Sequence, residues 1–475
     1  TIGAFGNRTV LATPIAPIIG EPVDPPGPRA RSARASAALL RGARPIGEPL
    51  TLAGLAPAVG RVFQAAARRA GRPLVLAPAQ APAVAPPASP VPGSAVAVAL
   101  ATGDLAAGAI GTVAYADGDV VWAFGHPFDG AGRRSLFLTG AYVFAVIGNP
   151  LATSDVSTYK LATTTSPLGT ITQDGRSGIV GRLGALPPRF PLEVITRDLD
   201  TNRRLTLRSE LAEERDLGLP SGSSALAATL PPAIAQGIYA TLDGSPVRQS
   251  GRMCLRITAQ GRRQPLGFCN TYVGGGGSAE ALAGGPLVAD AAAAVQLIDA
   301  FDGPLRLTRA QVGLRVRRGL ALATLTRARG PALARRGTTV RVRVTAERSG
   351  GGRAERTIAV PIPRGMPAGP RDLLLIGTDA DVVPGETGGE TTIDLSELFE
   401  PADEAAGPRT VAQLAEAIQG LKRYDGVTAR LVPPGANAPE QLPGGPERLA
   451  QRGRRVFRDP DLRLAGRVRL PLVVR

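Results

Sequence analysis

Short apolar runs broken by turns predict a mainly β chain with a few helices, ending in a β-sandwich-like region. Two observations carry that prediction. Gly (59) and Pro (44) make up about a fifth of the 475 residues, which favours many turns over long helices. The chain is 44% apolar but only 4% aromatic, so its cores must be built from Val, Leu, Ile and Ala. At roughly 100–200 residues per domain, this length accommodates two to four domains.

The elements follow in chain order. Residues 1–20 read as a hairpin turning at Gly6-Asn7, then the run Thr9-Val10-Leu11-Ala12-Thr13-Pro14-Ile15. Residues 56–70 carry apolar side chains at helical spacing and stop at Gly71, a natural helix terminator. Residues 77–93 are a Pro/Ala linker, extended and stiff. Residues 94–209 read as strand after strand: 95–100, 111–116, 120–124 and 134–146 are separated by Gly and Asp-Gly turns, with Asp117-Gly118 a strong hairpin signal. Ser224 opens a helix to about residue 242, interrupted near Pro231-Pro232. A Gly-rich linker, Gly274-Gly275-Gly276-Gly277-Ser278, separates this half from a short Ala-rich helix over 289–301. Residues 305–363 read as the sandwich-like series, in which Thr339-Val340-Arg341-Val342-Arg343-Val344 alternates cleanly. An amphipathic helix over 410–421 is expected to pack on strands 427–432 and 464–474.

The formal net charge of +16 would suit a polyanion binder. Only Lys160 and Lys422 are lysines, however, and the arginines are spread along the chain. The densest places, Arg315-Val316-Arg317-Arg318 and Arg452-Gly453-Arg454-Arg455, lack interleaved aromatics for base stacking, so a solvated cationic surface is the simpler reading. No run of 18 apolar residues spans a membrane. The two cysteines, Cys254 and Cys269, lie opposite each other in a hairpin centred on Gly261-Arg262. There they form either a disulfide, worth roughly 3 kcal/mol and pointing outside the cytoplasm, or a pair of buried thiols. CxxC spacing is absent, and one histidine with two cysteines is too few for a structural zinc site. Nothing in the chain calls for a metal or an organic cofactor.

The single histidine, His126, is the one side chain whose ordinary pKa suits proton transfer near neutrality. Its surroundings carry a resemblance. Gly93-Ser94-Ala95-Val96-Ala97-Val98, Gly103-Asp104, Gly111-Thr112-Val113-Ala114-Tyr115-Ala116-Asp117-Gly118-Asp119, Phe124-Gly125-His126-Pro127-Phe128, then Ser166-Pro167-Leu168-Gly169-Thr170 and Gln173-Asp174, resemble in order and spacing the His-bearing half of the SpoIVB-type serine peptidase family. The likeness is good over 94–185, weaker over 1–75 and thin after 280. It implies a chymotrypsin-like double β-barrel, incomplete at the N-terminus, with His126 as general base to a serine hydroxyl. A Gly-His-Pro turn just past a strand suits that role, since Gly125 permits close approach and Pro127 stiffens the exit.

One departure is decisive. The family's nucleophile sits in a Gly-x-Ser-Gly-Ser-Pro motif, and this chain has none. Gly244-Ser245-Pro246 and Pro220-Ser221-Gly222-Ser223-Ser224 are near misses that read as a turn and as a loop with a helix cap. In long members of the family the serine motif precedes the histidine segment and is followed by a strand, a hairpin and a Thr-Pro-Ile-like run. Thr1-Ile2-Gly3-Ala4-Phe5 and Ala12-Thr13-Pro14-Ile15 resemble that continuation. The nucleophile is therefore expected upstream of Thr1, within about 30 codons, a reach set by one hairpin. This sequence would then be a fragment, inactive alone. No acid can be assigned to complete a triad: Asp104, Asp117, Asp119 and Asp174 all sit in turn or strand-start contexts. The Gly-rich stretch 166–181 is a candidate cleft lining.

The organisation expected is the C-terminal part of the peptidase barrel plus a helix (1–76), the linker 77–93, the His-bearing barrel with a helix and the cysteine hairpin (94–273), the linker 274–285, a β-sandwich-like domain (286–400) and a small α+β region (401–475). The function expected is a secreted or cell-envelope serine endopeptidase acting on protein or peptide, the chain itself being one candidate substrate. The alternatives are a non-catalytic extracytoplasmic binding scaffold and an arginine-driven binder of anionic polymers.

Overall fold

The computed structural model describes residues 2–4, 10–24, 49–70, 74–78, 89–147, 159–215, 224–275, 281–301, 303–377, 407–421, 424–435 and 454–475. It opens on an antiparallel pair, β1 (Ile2–Ala4) and β2 (Val10–Ala12), in which Ile2 lies opposite Ala12. The turn expected at Gly6-Asn7 lies outside the described residues. A single helical turn and a half, α1 (Ile15–Ile19), follows at once. Strand β3 (Leu50–Ala53), helix α2 (Pro57–Arg69) and strand β4 (Leu74–Ala77) then form a small parallel crossover. Helix α2 buries Val59, Phe63, Ala66 and Ala67, the three-four spacing of one helix face, and ends on Arg68 and Arg69 beside its carbonyl terminus. Gly71, expected to end it, lies outside the described residues.

The centre of the molecule is a closed ring. It contains β5 (Ala95–Gly103), β6 (Ala106–Asp117), β7 (Val120–Ala123), β8 (Gly132–Ile147), β9 (Tyr159–Asp174) and β10 (Ile179–Leu183). Strand β5 pairs with β6 and β8, β8 with β9, β9 with β10, β10 with β7, and β7 with β6, all antiparallel. Closure leaves no free edge among these six strands. Their buried side chains are branched and small, with Val96, Val98, Val113, Val121, Leu136, Leu138 and Ile171 in the main core. The β6–β7 turn is centred one residue later than the Asp117-Gly118 signal suggests, because Asp117 pairs with Val120.

A second sheet grows out of the ring where Ser209, Glu210 and Leu211 pair with the end of β5. It contains β11 (Arg189–Asp198), β12 (Arg204–Ala212), β13 (Arg248–Ala259), β14 (Leu266–Gly275) and β15 (Leu307–Arg318). Strand β15 lies between β11 and β13, parallel to the first and antiparallel to the second. Among the described residues nothing pairs with the outer edge of β14. Two helices, α3 (Ala225–Thr241) and α4 (Pro286–Asp299), share the core with this sheet. Helix α3 starts where Ser224 caps the Ala227 N–H, and it does not break at Pro231-Pro232 as the sequence leads one to expect. Both prolines are buried, and burial of Leu230, Ala233, Ile234 and Ile238 offsets the missing amide bonds. The expected linker 274–285 is built into the structure at both ends. Gly274 and Gly275 pair with β13, and Ala281, Leu282 and Ala283 are buried.

The remaining chain makes two sheets around a separate core. One contains β16 (Leu322–Arg329), β18 (Thr339–Arg348), β19 (Arg353–Pro361) and β23 (Arg463–Ala465). The other contains β17 (Leu333–Ala334), β20 (Gly369–Gly377), β21 (Gly426–Val432), β22 (Arg454–Arg458) and β24 (Arg467–Val474). Strand β18 buries Val340, Val342 and Val344 and exposes the intervening arginines. Strands from both expected C-terminal segments, 286–400 and 401–475, thus share one sandwich core. Helix α5 (Val411–Gly420), opened by a Thr410–Gln413 capping box, does not pack on the strands expected for it. Its apolar face of Leu414, Ala415 and Ile418 joins the core of the first half, alongside α4 and β14.

Candidate active-site turn

His126 sits on the turn that leaves β7 after Ala123, at the rim of the closed ring. The local backbone is unusual for its sequence. Phe124 has φ of 71° and Gly125 has φ of 84°, so two successive residues occupy the left-handed region. Glycine adopts this freely, whereas for phenylalanine it costs about 1–2 kcal/mol. Packing holds Phe124 there. Its ring is fully buried and packs against Gly111, where a Cβ would fall 2.0 Å from Cδ1. The Phe124 N–H also donates to the Thr112 carbonyl at 3.0 Å. The His126 ring is half-buried and tilted against Phe124, with 5.6 Å between centroids.

The His126 Nδ1 lies 2.8 Å from the Pro127 carbonyl oxygen. A carbonyl oxygen only accepts, so Nδ1 carries a proton, and in the neutral ring Nε2 is then the basic nitrogen. That is the tautomer a general base needs.

Beyond His126 the turn is held by Asp174, the last residue of β9. Its carboxylate is 2% exposed and accepts three backbone N–H bonds, from Phe128 (2.7 Å), Asp129 (2.9 Å) and Gly130 (2.8 Å). Burial pushes its pKa up to about 6, with the neighbouring Asp129 adding to the rise and the amide donors opposing it. Asp129 in turn accepts from Arg134, whose side chain is only 2% exposed and also makes two parallel bonds to Glu214 at 3.0 and 2.8 Å. Burial works against the Arg134 charge, but Glu214 and Asp129 together hold it above its ordinary value. The turn is thereby bolted to β8 and to the segment after β12. Arg134 and Glu214 carry no sequence signal, since an Arg-Arg pair and a Glu-Glu pair are ordinary surface patterns.

The N-terminal segment closes over the same place. Thr13 Oγ1 donates to the Gly125 carbonyl. Trp122 Nε1 donates to the Glu21 carbonyl at 3.5 Å, and Glu21 accepts from the Ser177 N–H at 2.7 Å. Thr172 donates to the Val23 carbonyl at 2.6 Å, and Arg182 bridges Asp24 and Asp119 at 2.8 and 3.0 Å. Residues 13–24 thus lie across the turn 123–130 and the turn 175–178. In the sequence the N-terminal segment lies about a hundred residues or more from either turn.

The other acids considered for a triad lie elsewhere. Asp104 accepts from the Arg208 N–H at 2.8 Å, Asp117 ends β6, and Asp119 is exposed on Arg182. Of the near-miss serine motifs, Gly244-Ser245-Pro246 is the turn after α3, where Gln249 donates to the Pro246 carbonyl. Residues 216–223 lie outside the described residues. Cys254 and Cys269 are paired across β13 and β14 and form a disulfide. Among the described residues no group of three or more His, Cys, Asp or Glu side chains is arranged to hold a metal ion, and no helix is long and apolar enough to cross a membrane.

Compared with protein-family models, curated proteins and solved structures, the chain matches none.

Proposed function

We propose that this chain is the His-bearing part of a SpoIVB-type serine endopeptidase acting outside the cytoplasm, with His126 as general base. The closed ring is read as one barrel of a chymotrypsin-like pair, and the sheet from β11 to β15 as the remnant of the other. The disulfide supports an oxidising compartment.

One observation carries the reading. Residues 13–24 are docked on the His126 turn, and Ile2 pairs with Ala12, next to Thr13. Chain entering β1 therefore arrives one residue from the Thr13–Gly125 contact. The reading requires a serine hydroxyl to reach the imidazole from this side. The substrate is a peptide bond in protein or peptide: the hydroxyl proton passes to Nε2 as the oxygen adds to the carbonyl carbon, and from Nε2 to the departing amine as the C–N bond breaks and the acyl-enzyme is left.

The test is labelling by a serine-reactive phosphonate of the polypeptide extended through the residues encoded before Thr1. Labelling is expected, and His126→Ala is expected to abolish it. No adduct on the extended chain overturns the reading. A second reading, a non-catalytic extracytoplasmic scaffold, is favoured by the same Nδ1–Pro127 bond, since a histidine that merely braces a turn makes it too. That reading requires an extended chain that takes up no probe.

A further inference from the structure

One peptide group beside the His126 ring has a partner on each side. The carbonyl of Pro127 accepts from His126 Nδ1 at 2.8 Å. The N–H of the same peptide unit, on Phe128, donates to Asp174 Oδ1 at 2.7 Å. Imidazole, amide and carboxylate form an unbroken hydrogen-bonded line.

Such a line is cooperative. A carboxylate accepting from the amide N–H draws the amide dipole toward its charge-separated form, and the carbonyl oxygen becomes a stronger acceptor for Nδ1–H. The charge-assisted link is the short one, as expected for an ionised acceptor. In a directly bonded triad the acid holds the imidazole in one tautomer and stabilises the imidazolium. Here both tasks pass through one amide.

We propose that Asp174 is the orienting acid for His126, acting through the single peptide group that joins Pro127 to Phe128. It is a positioning residue, and the proposal rests on the general-base reading for its consequence in catalysis. The two further N–H bonds, from Asp129 and Gly130, fix the carboxylate so that Oδ1 stays on Phe128. Other charges face it from each packed element. Asp129 lies on the same turn, Arg134 and Arg133 are on β8 opposite, Glu21 lies over Gly175, and Glu214 stands behind Arg134. Asp174 titrates near neutrality, so the line weakens as the carboxyl takes up a proton below about 6.

A single histidine makes the test direct, because histidine labelled with 15N gives one imidazole in the whole chain. In the full chain at neutral pH the ring is expected as the Nδ1–H tautomer, opposite to the one free histidine prefers. Asp174→Asn, which replaces the anion by a neutral amide, is expected to change the tautomer ratio about tenfold toward Nε2–H. On the extended polypeptide it is expected to lower kcat roughly 10–100-fold with KM within about twofold, a loss smaller than that seen when a directly bonded acid is neutralised. A merely structural role for Asp174 leaves the tautomer unmoved in every folded molecule, and an unmoved tautomer overturns the proposal. Should Asp174→Asn not fold, the Phe128 amide proton in the unaltered chain serves. It is expected far downfield at alkaline pH and to move as the carboxyl is protonated, and an amide indifferent to pH also overturns the proposal. Missing probe adducts retire the general-base reading, whereas an unchanged tautomer retires the peptide relay, so the two failures are distinct.

Discussion

Asp174 makes the fold more stable in acid, against the usual behaviour of a hydrogen-bonded aspartate. Burial carries its carboxyl from 3.8 to about 6, and at 1.36 kcal/mol for each pH unit this corresponds to ~3 kcal/mol. The folded form binds the proton more tightly than the unfolded chain does. The stabilising contribution is therefore fully present below about 3.8 and is lost as the pH rises through about 6. At neutral pH the ionised carboxylate, which the His126 turn needs for its three N–H bonds, is held at the expense of stability. The assay is urea unfolding of the native chain and of Asp174→Asn, followed through the His126 ring signal so that only the barrel is read. Taking the difference between the two proteins cancels the titrating groups remote from Asp174 and leaves Asp174 with the Asp129 beside it. From about pH 7 down to about pH 4 the native chain is expected to gain up to ~3 kcal/mol on the variant. A flat difference refutes the argument, and so does a native chain that loses ground as the pH falls, the behaviour of a salt-bridged aspartate.

Two further perturbations probe the same turn. Gly111→Ala places a methyl 2.0 Å from the buried Phe124 ring, so the ring and the left-handed residues behind His126 must move. Overpacking of this kind costs about 1–3 kcal/mol, and a lowered urea midpoint with a shifted His126 signal is expected. An unshifted signal would show that the turn does not lean on Phe124. Arg134→Met strands the Asp129 and Glu214 carboxylates around a buried apolar chain, for an expected loss of about 3–5 kcal/mol. Adding Glu214→Gln to that variant is expected to recover part of the loss, and strict additivity in the double-variant cycle would dismiss the network.

Much of the architecture can be read from local pattern. Strands β5 to β8, the alternation of β18 and helix α2 are legible because each depends on spacing along a few residues. The cysteine register is legible for the same reason, since a hairpin fixes opposite positions by counting from its turn. The helix through Pro231-Pro232 was not legible. Local chemistry says break there, and burial against a sheet decides otherwise. The packing of α5 was equally hidden, because an apolar face does not state which of two cores receives it.

The candidate site divides in the same way. His126 stands out by being the chain's single histidine, and the left-handed Gly125 beside it by being a glycine in a Gly-His-Pro turn. Asp174 was one aspartate among four with similar contexts, and Arg134 and Glu214 had no distinguishing mark. Their roles come from the closure of the ring. Pairing β8 with both β5 and β9 sets residue 174 opposite residue 132, and the turn after β7 then falls against the carboxylate. Sequence alone determines many of the strands, the opposite placement of the two cysteines and the one residue suited to move a proton, because these follow from residue type and short-range period. Which acid, which cation and which N-terminal segment surround that residue was decided only in three dimensions, because strand pairing and the docking of the N-terminal segment bring distant stretches of chain to one turn, and no local pattern encodes it.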